Sequence, residues 1–422
     1  MSISIFLSFL FPFLYVVIAL IKEKHAVSFR SFFYIFALFF YSIAAFVQFF
    51  EPIEGYTVTP KTFIEINIIL FFCYIVFDLI YFSGKNVSAY TEPPKLDHPM
   101  PRLKRQGVFV LLMFITLLGV YMLYSNGFSL RNLLFRGGDL DVERVQNVQS
   151  IGLIVNIFRI SFSMVAFLFL CFHKSKYIKC LGVAFLLLFC APTATARYFA
   201  AAAYIPVLLL IYPKFIYSRW LFKVAMCGGV LIVFPFLNIF RYVERGEFRP
   251  WEMFATLNFD SYISFAYVYE KEFVTYGYQL LGCIFFWIPR SMWEGKPIGS
   301  GYTIAEMDNL FDGFTNISMN YLGEGYINFG FLGIFLFVIV LAFVSKKMDY
   351  TFWNKYQGDY HNIFSVYYFY FLGMLIFIMR GDLMSSTAYT FGFLFVAFVI
   401  QKVVHFFILH CKENKQKTIA ID

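Results

Sequence analysis

Long apolar segments recur along this chain and leave few other folds open to it. Eleven can be marked, at roughly 3–21, 31–50, 63–82, 107–124, 151–172, 178–194, 197–212, 220–240, 326–344, 363–379 and 391–409. A bilayer core takes about 20 apolar residues per helix, and only helices or closed barrels satisfy their backbone inside it. Composition agrees. Of 422 residues 60% are apolar and only 14% charged, against about 25% charged in soluble domains. The expected fold is all-α, a polytopic helical membrane protein of about 11 transmembrane helices. It would form one integral membrane domain over residues 1–422, with one large outer loop holding interfacial or re-entrant helices. Segment 3–21 has neither a basic n-region nor a small-residue cleavage site, so it reads as a retained span. The seven cysteines sit mostly in apolar runs without CxxC spacing, which argues against a disulfide framework or zinc site. No Walker loop or dinucleotide fingerprint occurs, and no nucleic-acid partner is expected.

Basic residues set the orientation. One alternate set of loops carries twenty-one of them, seventeen being Lys; the other carries twelve, nine being Arg. The lysine-rich set is expected in the cytoplasm, with the N-terminus outside and the C-terminus inside. The five tryptophans fall outside the eleven segments or, for Trp220, at the edge of one, as interfacial belts would place them. The arginine bias outside has a chemical reading, because a guanidinium fork grips phosphate oxygens in a bidentate way. Arg159, Arg197, Arg241, Arg245, Arg290 and Arg380 are the candidate substrate-binding residues. The alternative is that such arginines pair with carboxylates of the same loops.

Residues 241–325 form the one long outer loop. Trp251, Phe254, Tyr262, Phe265 and Tyr269 lie near a 3.6 period, as on an interfacial amphipathic helix. The apolar run Tyr278 to Ile288 is too short to span, and a re-entrant helix presenting Arg290 at its end is expected there. Arg159 and Glu65 lie within segments; they pair with each other, or Arg159 serves a substrate cavity. Asp78 reads as a snorkelling or capping residue. Arg197 and Arg380 stand at the outer mouth of the bundle. All six histidines map to the lysine-rich side, so an outer general base must be a carboxylate, with Glu324 and Asp382 leading. Asp139 and Asp141 form a weak DxD-like cluster, but Arg136 and Arg144 flank it and oppose a cation. No metal and no cofactor is expected.

The run Trp287-Ile288-Pro289-Arg290-Ser291-Met292-Trp293-Glu294-Gly295-Lys296-Pro297, followed by Gly323-Glu324-Gly325-Tyr326-Ile327-Asn328-Phe329-Gly330-Phe331-Leu332-Gly333, resembles the bacterial O-antigen and capsule repeat-unit polymerases of the Wzy type. The layout of the whole chain is similar; residues 285–333 carry the motif-level likeness, with weaker support from Arg197 and Arg380-Gly381-Asp382. The resemblance implies a glycosyltransferase of the bacterial inner membrane. A glycan on undecaprenyl pyrophosphate would be transferred to the next lipid-linked repeat unit on the outer face, with inversion. A chain-length regulator and a flippase would be partners, beside the bilayer itself. An O-antigen ligase-like transferase is the first alternative, although such ligases are expected to carry an outward histidine. A flippase or polysaccharide transporter is the second, although short loops and several deep charges are expected of one.

Overall fold

The computed structural model describes residues 2–90, 92, 102–135, 156–233, 252–307, 309–310, 317–362 and 364–419, with side chains to Val404 and at Phe406. Among them every regular element is helical. In chain order these are α1 (Ile3–Lys22), α2 (Phe29–Phe50), α3 (Pro60–Tyr81), α4 (Arg105–Ser125), α5 (Asn156–Phe172), α6 (Lys176–Phe189) and α7 (Arg197–Ile211). There follow α8 (Leu221–Ile232), α9 (Ser261–Glu270), α10 (Tyr278–Ile284), α11 (Ser300–Met307), α12 (Tyr321–Lys355), α13 (Phe364–Arg380) and α14 (Leu383–Ile419).

The chain is a multi-pass helical membrane protein. Among the described residues six helices are long and apolar enough to cross a membrane: α1, α2, α3, α4, α12 and the Leu383–Val404 part of α14. Helices α5, α7, α8 and α13 are apolar but shorter, at 10–17 residues, and α6 has 14. Six of the eleven expected spans thus have a helix of sufficient length among the described residues. Two of the shortfalls, at 151–172 and 220–240, run into residues outside the described set. Two others have a local cause: the Cys190–Ala196 turn ends α6 before α7 begins, so neither completes a fifth turn.

Helix α2 is the centre of the fold. Of its 18-residue apolar window 78% is buried, against 22% for α1, and a helix apolar all round belongs inside. Aromatic rings fill the contact, as where Phe33 stacks on Phe77 of α3 at 4.1 Å. Helix starts follow ordinary capping. Thr59 accepts from the Thr62 N–H with Pro60 in the first turn of α3, and Asn320 accepts from the Gly323 N–H at 2.7 Å.

The two loop sets gather at opposite ends of the bundle. At the lysine end Lys346 meets Ser83, Asn354 meets Ser88, and Trp353 donates to the Val27 carbonyl. Trp353 is thus 1% exposed, in the core rather than in an interfacial belt. At the arginine end Gln48 donates to the Phe254 and Phe259 carbonyls, and Arg380 to that of Asn258.

The described part of 241–325 is packed structure more than loop. In α9, Tyr262 and Phe265 are fully buried and so are residues on its other faces, which makes it a core helix and not an interfacial one. Helix α10 stops at Ile284, short of a re-entrant helix reaching Arg290.

Helix α12 is broken at Phe329 (φ −143°, ψ 22°) and Gly330 (φ 62°, ψ −146°). Only glycine occupies the second conformation readily. The short arm Tyr321–Asn328 folds back along the span. Tyr321 packs on Phe337, with ring centroids 4.9 Å apart, and the Gly325 and Gly333 backbones touch. A Cβ at Gly333 would lie 1.8 Å from the Gly325 carbonyl oxygen. Gly333→Ala is therefore expected to cost about 1–3 kcal/mol or more. Gly228→Ala, where a Cβ has open space, should melt like the parent. Thermal unfolding of both variants in detergent checks this, and equal melting temperatures would refute the hairpin contact.

Candidate substrate site

Antiparallel packing of α7 and α13 builds the arginine end. The helices approach closely where Gly373 faces Ala202; a Cβ at Gly373 would lie 2.7 Å from the Ala202 Cα. The same register stacks Tyr198 on Phe377 at 3.7 Å. It brings Arg197, in the first turn of α7, beside the last turn of α13, which carries Arg380. Both arginines line one cavity of about 190 Å³ with Asn258 and Phe259. Its walls are apolar: Phe32, Phe36 and Phe40 of α2, Met226 and Val230 of α8. The α13 dipole favours a cation at Arg380, whereas that of α7 opposes one at Arg197.

Arg380 is partly committed. Its Nε donates to Asn258 O at 3.0 Å and its Nη2 to Leu257 O at 3.1 Å, and Asp260 Oδ1 lies 3.8 Å away. The Nη1 hydrogens have no partner among the described residues. Asp260 is fully buried, with Oδ2 accepting from the Ser318 N–H and Oδ1 accepting no hydrogen bond. Burial raises its carboxyl above the usual range, against the pull of Arg380.

On the other side of the Arg380–Asp382 turn the two candidate carboxylates come together at the start of α14. Asp382 caps it, accepting from the Ser385 N–H at 2.9 Å, and Glu324 accepts from the Leu383 N–H at 2.8 Å. Carboxylates at a helix N-terminus answer its unpaired N–H groups and its dipole. Glu324 also accepts from the Ser300 hydroxyl. Among the described residues no cation pairs with either. Glu324 is 2% exposed, whereas Asp382 is half-buried; burial raises the Asp382 carboxyl above its ordinary value.

The remaining candidates are dispersed. Arg290 is exposed and donates to the carbonyls of Lys296 (2.8 Å) and Pro297 (3.0 Å), while Lys296 donates back to those of Phe286 and Ile288. The two cations clasp the 286–297 turn into a closed unit, and burial lowers the Lys296 pKa. Arg290→Lys should therefore lower thermal stability by about 1–2 kcal/mol, through two lost hydrogen bonds. It should leave substrate affinity unchanged; a binding loss without a melting shift would reverse that assignment. Arg159 does not pair with Glu65. Its Nε donates to the Phe189 carbonyl, and its guanidinium lies 5.8 Å from the centroid of the Phe199 ring. Glu65 instead pairs with Lys61, one helical turn away. Arg241, Arg245, Asp139 and Asp141 lie outside the described residues.

The chain matches no family model, no curated protein and no solved structure.

A polar network at the lysine end was not legible as such from the sequence. Arg30, 3% exposed, holds Asp78 through two hydrogen bonds of 2.8 and 2.9 Å and Glu23 through one of 2.6 Å. Asp78 is thus the partner of a buried guanidinium, not a snorkelling or capping residue. Glu23 also takes the His25 Nδ1 at 2.8 Å. Burial opposes charge on Glu23, but the bonds from His25 and Arg30 outweigh it and hold its carboxyl at about 2. Asp349 is fully buried beside them, accepting from Tyr81 and Tyr368, each at 2.7 Å. The signal lay in the charge pattern: Arg30 and Asp78 stand near the same end of two adjacent apolar runs.

Proposed function

We propose that the chain is a membrane glycosyltransferase that joins polyprenyl-diphosphate-linked oligosaccharide repeat units into an O-antigen or capsular polysaccharide, on the outer face of the bacterial inner membrane. The observation that carries this reading is the cavity with two guanidiniums and aromatic walls. Apolar walls suit an isoprenoid chain, and guanidinium forks suit its diphosphate. The acceptor hydroxyl oxygen attacks the anomeric carbon of the donor glycan. The bond from that carbon to the diphosphate oxygen breaks, and its electron pair leaves with the polyprenyl diphosphate. Arg197 and Arg380 stabilise the charge that develops there. The proton goes to a carboxylate. Asp382 follows Arg380 by two residues, within about 7 Å along the chain, and is the more open of the pair; Glu324 reaches substrate only after leaving its bonds to Ser300 and Leu383.

Deletion of the gene tests the reading in the organism that carries it. The surface glycan should collapse to single repeat units, with lipid-linked single units accumulating on the outer face. Accumulation on the cytoplasmic face would make the chain a flippase. Full-length glycan left on its lipid carrier would make it a ligase, and an unchanged glycan ladder would discard the reading.

A further inference from the structure

The end of the bundle opposite the arginine cavity holds a second, differently built pocket. It measures about 480 Å³ and lies where α5 ends, α6 begins, α7 ends and the chain enters α13. Arg102, Lys174, Lys179, His173 and His361 line it. Among the described residues no carboxylate pairs with Arg102, Lys174 or Lys179, which line one hollow together. Among the described residues the acidic group nearest the lining is Asp359, which holds the His361 Nδ1 at 3.2 Å. The His173 Nδ1 accepts from the Ser175 N–H at 3.1 Å, which leaves its Nε2 as the donor in the neutral ring.

Backbone bonds seat two of the segments that line the pocket. The Leu103 N–H donates to the Phe172 carbonyl at 3.2 Å and ties the residue after Arg102 to the end of α5. The Tyr360 carbonyl accepts from the Ser365 hydroxyl at 2.7 Å, which seats the 360–361 turn at the start of α13. Between the charges the wall is apolar, with Leu170, Phe172 and Leu210. Three like charges around one hollow repel one another, and an anion relieves all three at once. A phosphate-bearing group satisfies ammonium, guanidinium and imidazole donors together. The apolar wall lies at the mouth of membrane-embedded helices, where a headgroup arrives with acyl chains attached.

We infer that this pocket binds the phosphate headgroup of an anionic phospholipid. The site stands apart from the proposed reaction, because α7 alone, with 15 residues, separates the two ends by about 22 Å.

The test uses the purified full-length chain in detergent, with native mass spectrometry to count bound lipid. The probes are phosphatidylglycerol, phosphatidylcholine and inorganic phosphate. Phosphatidylglycerol should bind in preference to phosphatidylcholine. Arg102→Gln with Lys179→Gln should weaken it about 25-fold, about fivefold per cation removed. Arg105→Gln with Lys176→Gln removes the same charge from the same end outside the pocket, and should change it less than threefold. Both double variants should elute and melt like the parent; if the pocket variant does not, Lys179→Arg, which keeps the charge, must retain lipid. Equal losses in the two double variants would replace the site by diffuse surface charge. Equal binding of phosphatidylcholine, or binding of inorganic phosphate alone with the same sensitivity to the variants, would overturn the phospholipid assignment.

Discussion

Arg30→Met is expected to destabilise the protein by about 3–5 kcal/mol, the usual consequence of removing one member of a buried ion network. Arg30 is, among the described residues, the one cation that bonds both Glu23 and Asp78, through three hydrogen bonds of 2.6–2.9 Å. Without it two carboxylates face each other away from water. Arg105→Gln, an exposed arginine at the same end, should change stability by less than about 0.5 kcal/mol. Denaturant or thermal unfolding in detergent compares them, and indistinguishable curves would remove the network from any account of the fold. The same cluster sets a pH window. Burial opposes charge on His25, but its bond to Glu23 prevails and raises its pKa. The imidazolium form is therefore favoured by folding, and its contribution is complete below the unfolded pKa of about 6.5. It is lost as pH rises through the folded value. The Glu23 carboxyl, held at about 2, contributes above its unfolded value of about 4.3 and is lost only toward pH 2. Melting temperature should fall on the alkaline side of this window in the parent, and His25→Gln should flatten that fall.

Arg380→Lys should cut glycan polymerisation about 100-fold although charge is retained. A lysine ammonium keeps attraction to Asp260 but cannot hold the Leu257 and Asn258 carbonyls and a diphosphate oxygen together. The loss should appear in turnover as well as in donor binding, since the guanidinium acts on charge that grows as the lipid leaves. Asp382→Asn should lower turnover with donor binding kept, because an amide preserves the cap on α14 but takes no proton. Arg131→Lys, exposed on a short surface helix, should stay within about twofold. If Arg380→Lys polymerises as well as Arg131→Lys, the cavity is not where the diphosphate sits.

The helical class was readable because apolar runs of 20 residues have one common solution in a bilayer. Helix length was not, because run length and helix length differ wherever a turn, as at Cys190–Ala196, or a glycine break intervenes. Gly330 sits inside an apolar stretch and gave no warning that α12 folds back there. The neighbourhood of Arg197 and Arg380 follows from antiparallel order, which loop charge had suggested. Their shared wall depends on Gly373 meeting Ala202, and no single-chain pattern specifies that pairing. The buried trio of Arg30, Glu23 and Asp78 escaped because each residue alone looks like an ordinary charge at a helix end. Amphipathic spacing also misplaced Tyr262 and Phe265. A period of 3.6 identifies a face, but α9 is covered on its other faces too, and only the packed structure says so.

The contact of Gly373 with Ala202 lies part-way along α13, and without a Cβ on Gly373 it is the closest kind of approach two helix backbones make, a natural pivot. Arg380 is seven residues to one side, about 10 Å away, and Phe364 nine residues to the other, about 13 Å away. Any tilt of α13 about that point swings its two ends in opposite senses. The arginine cavity at Arg380 and the basic pocket beside Tyr360 lie toward those two ends of α13.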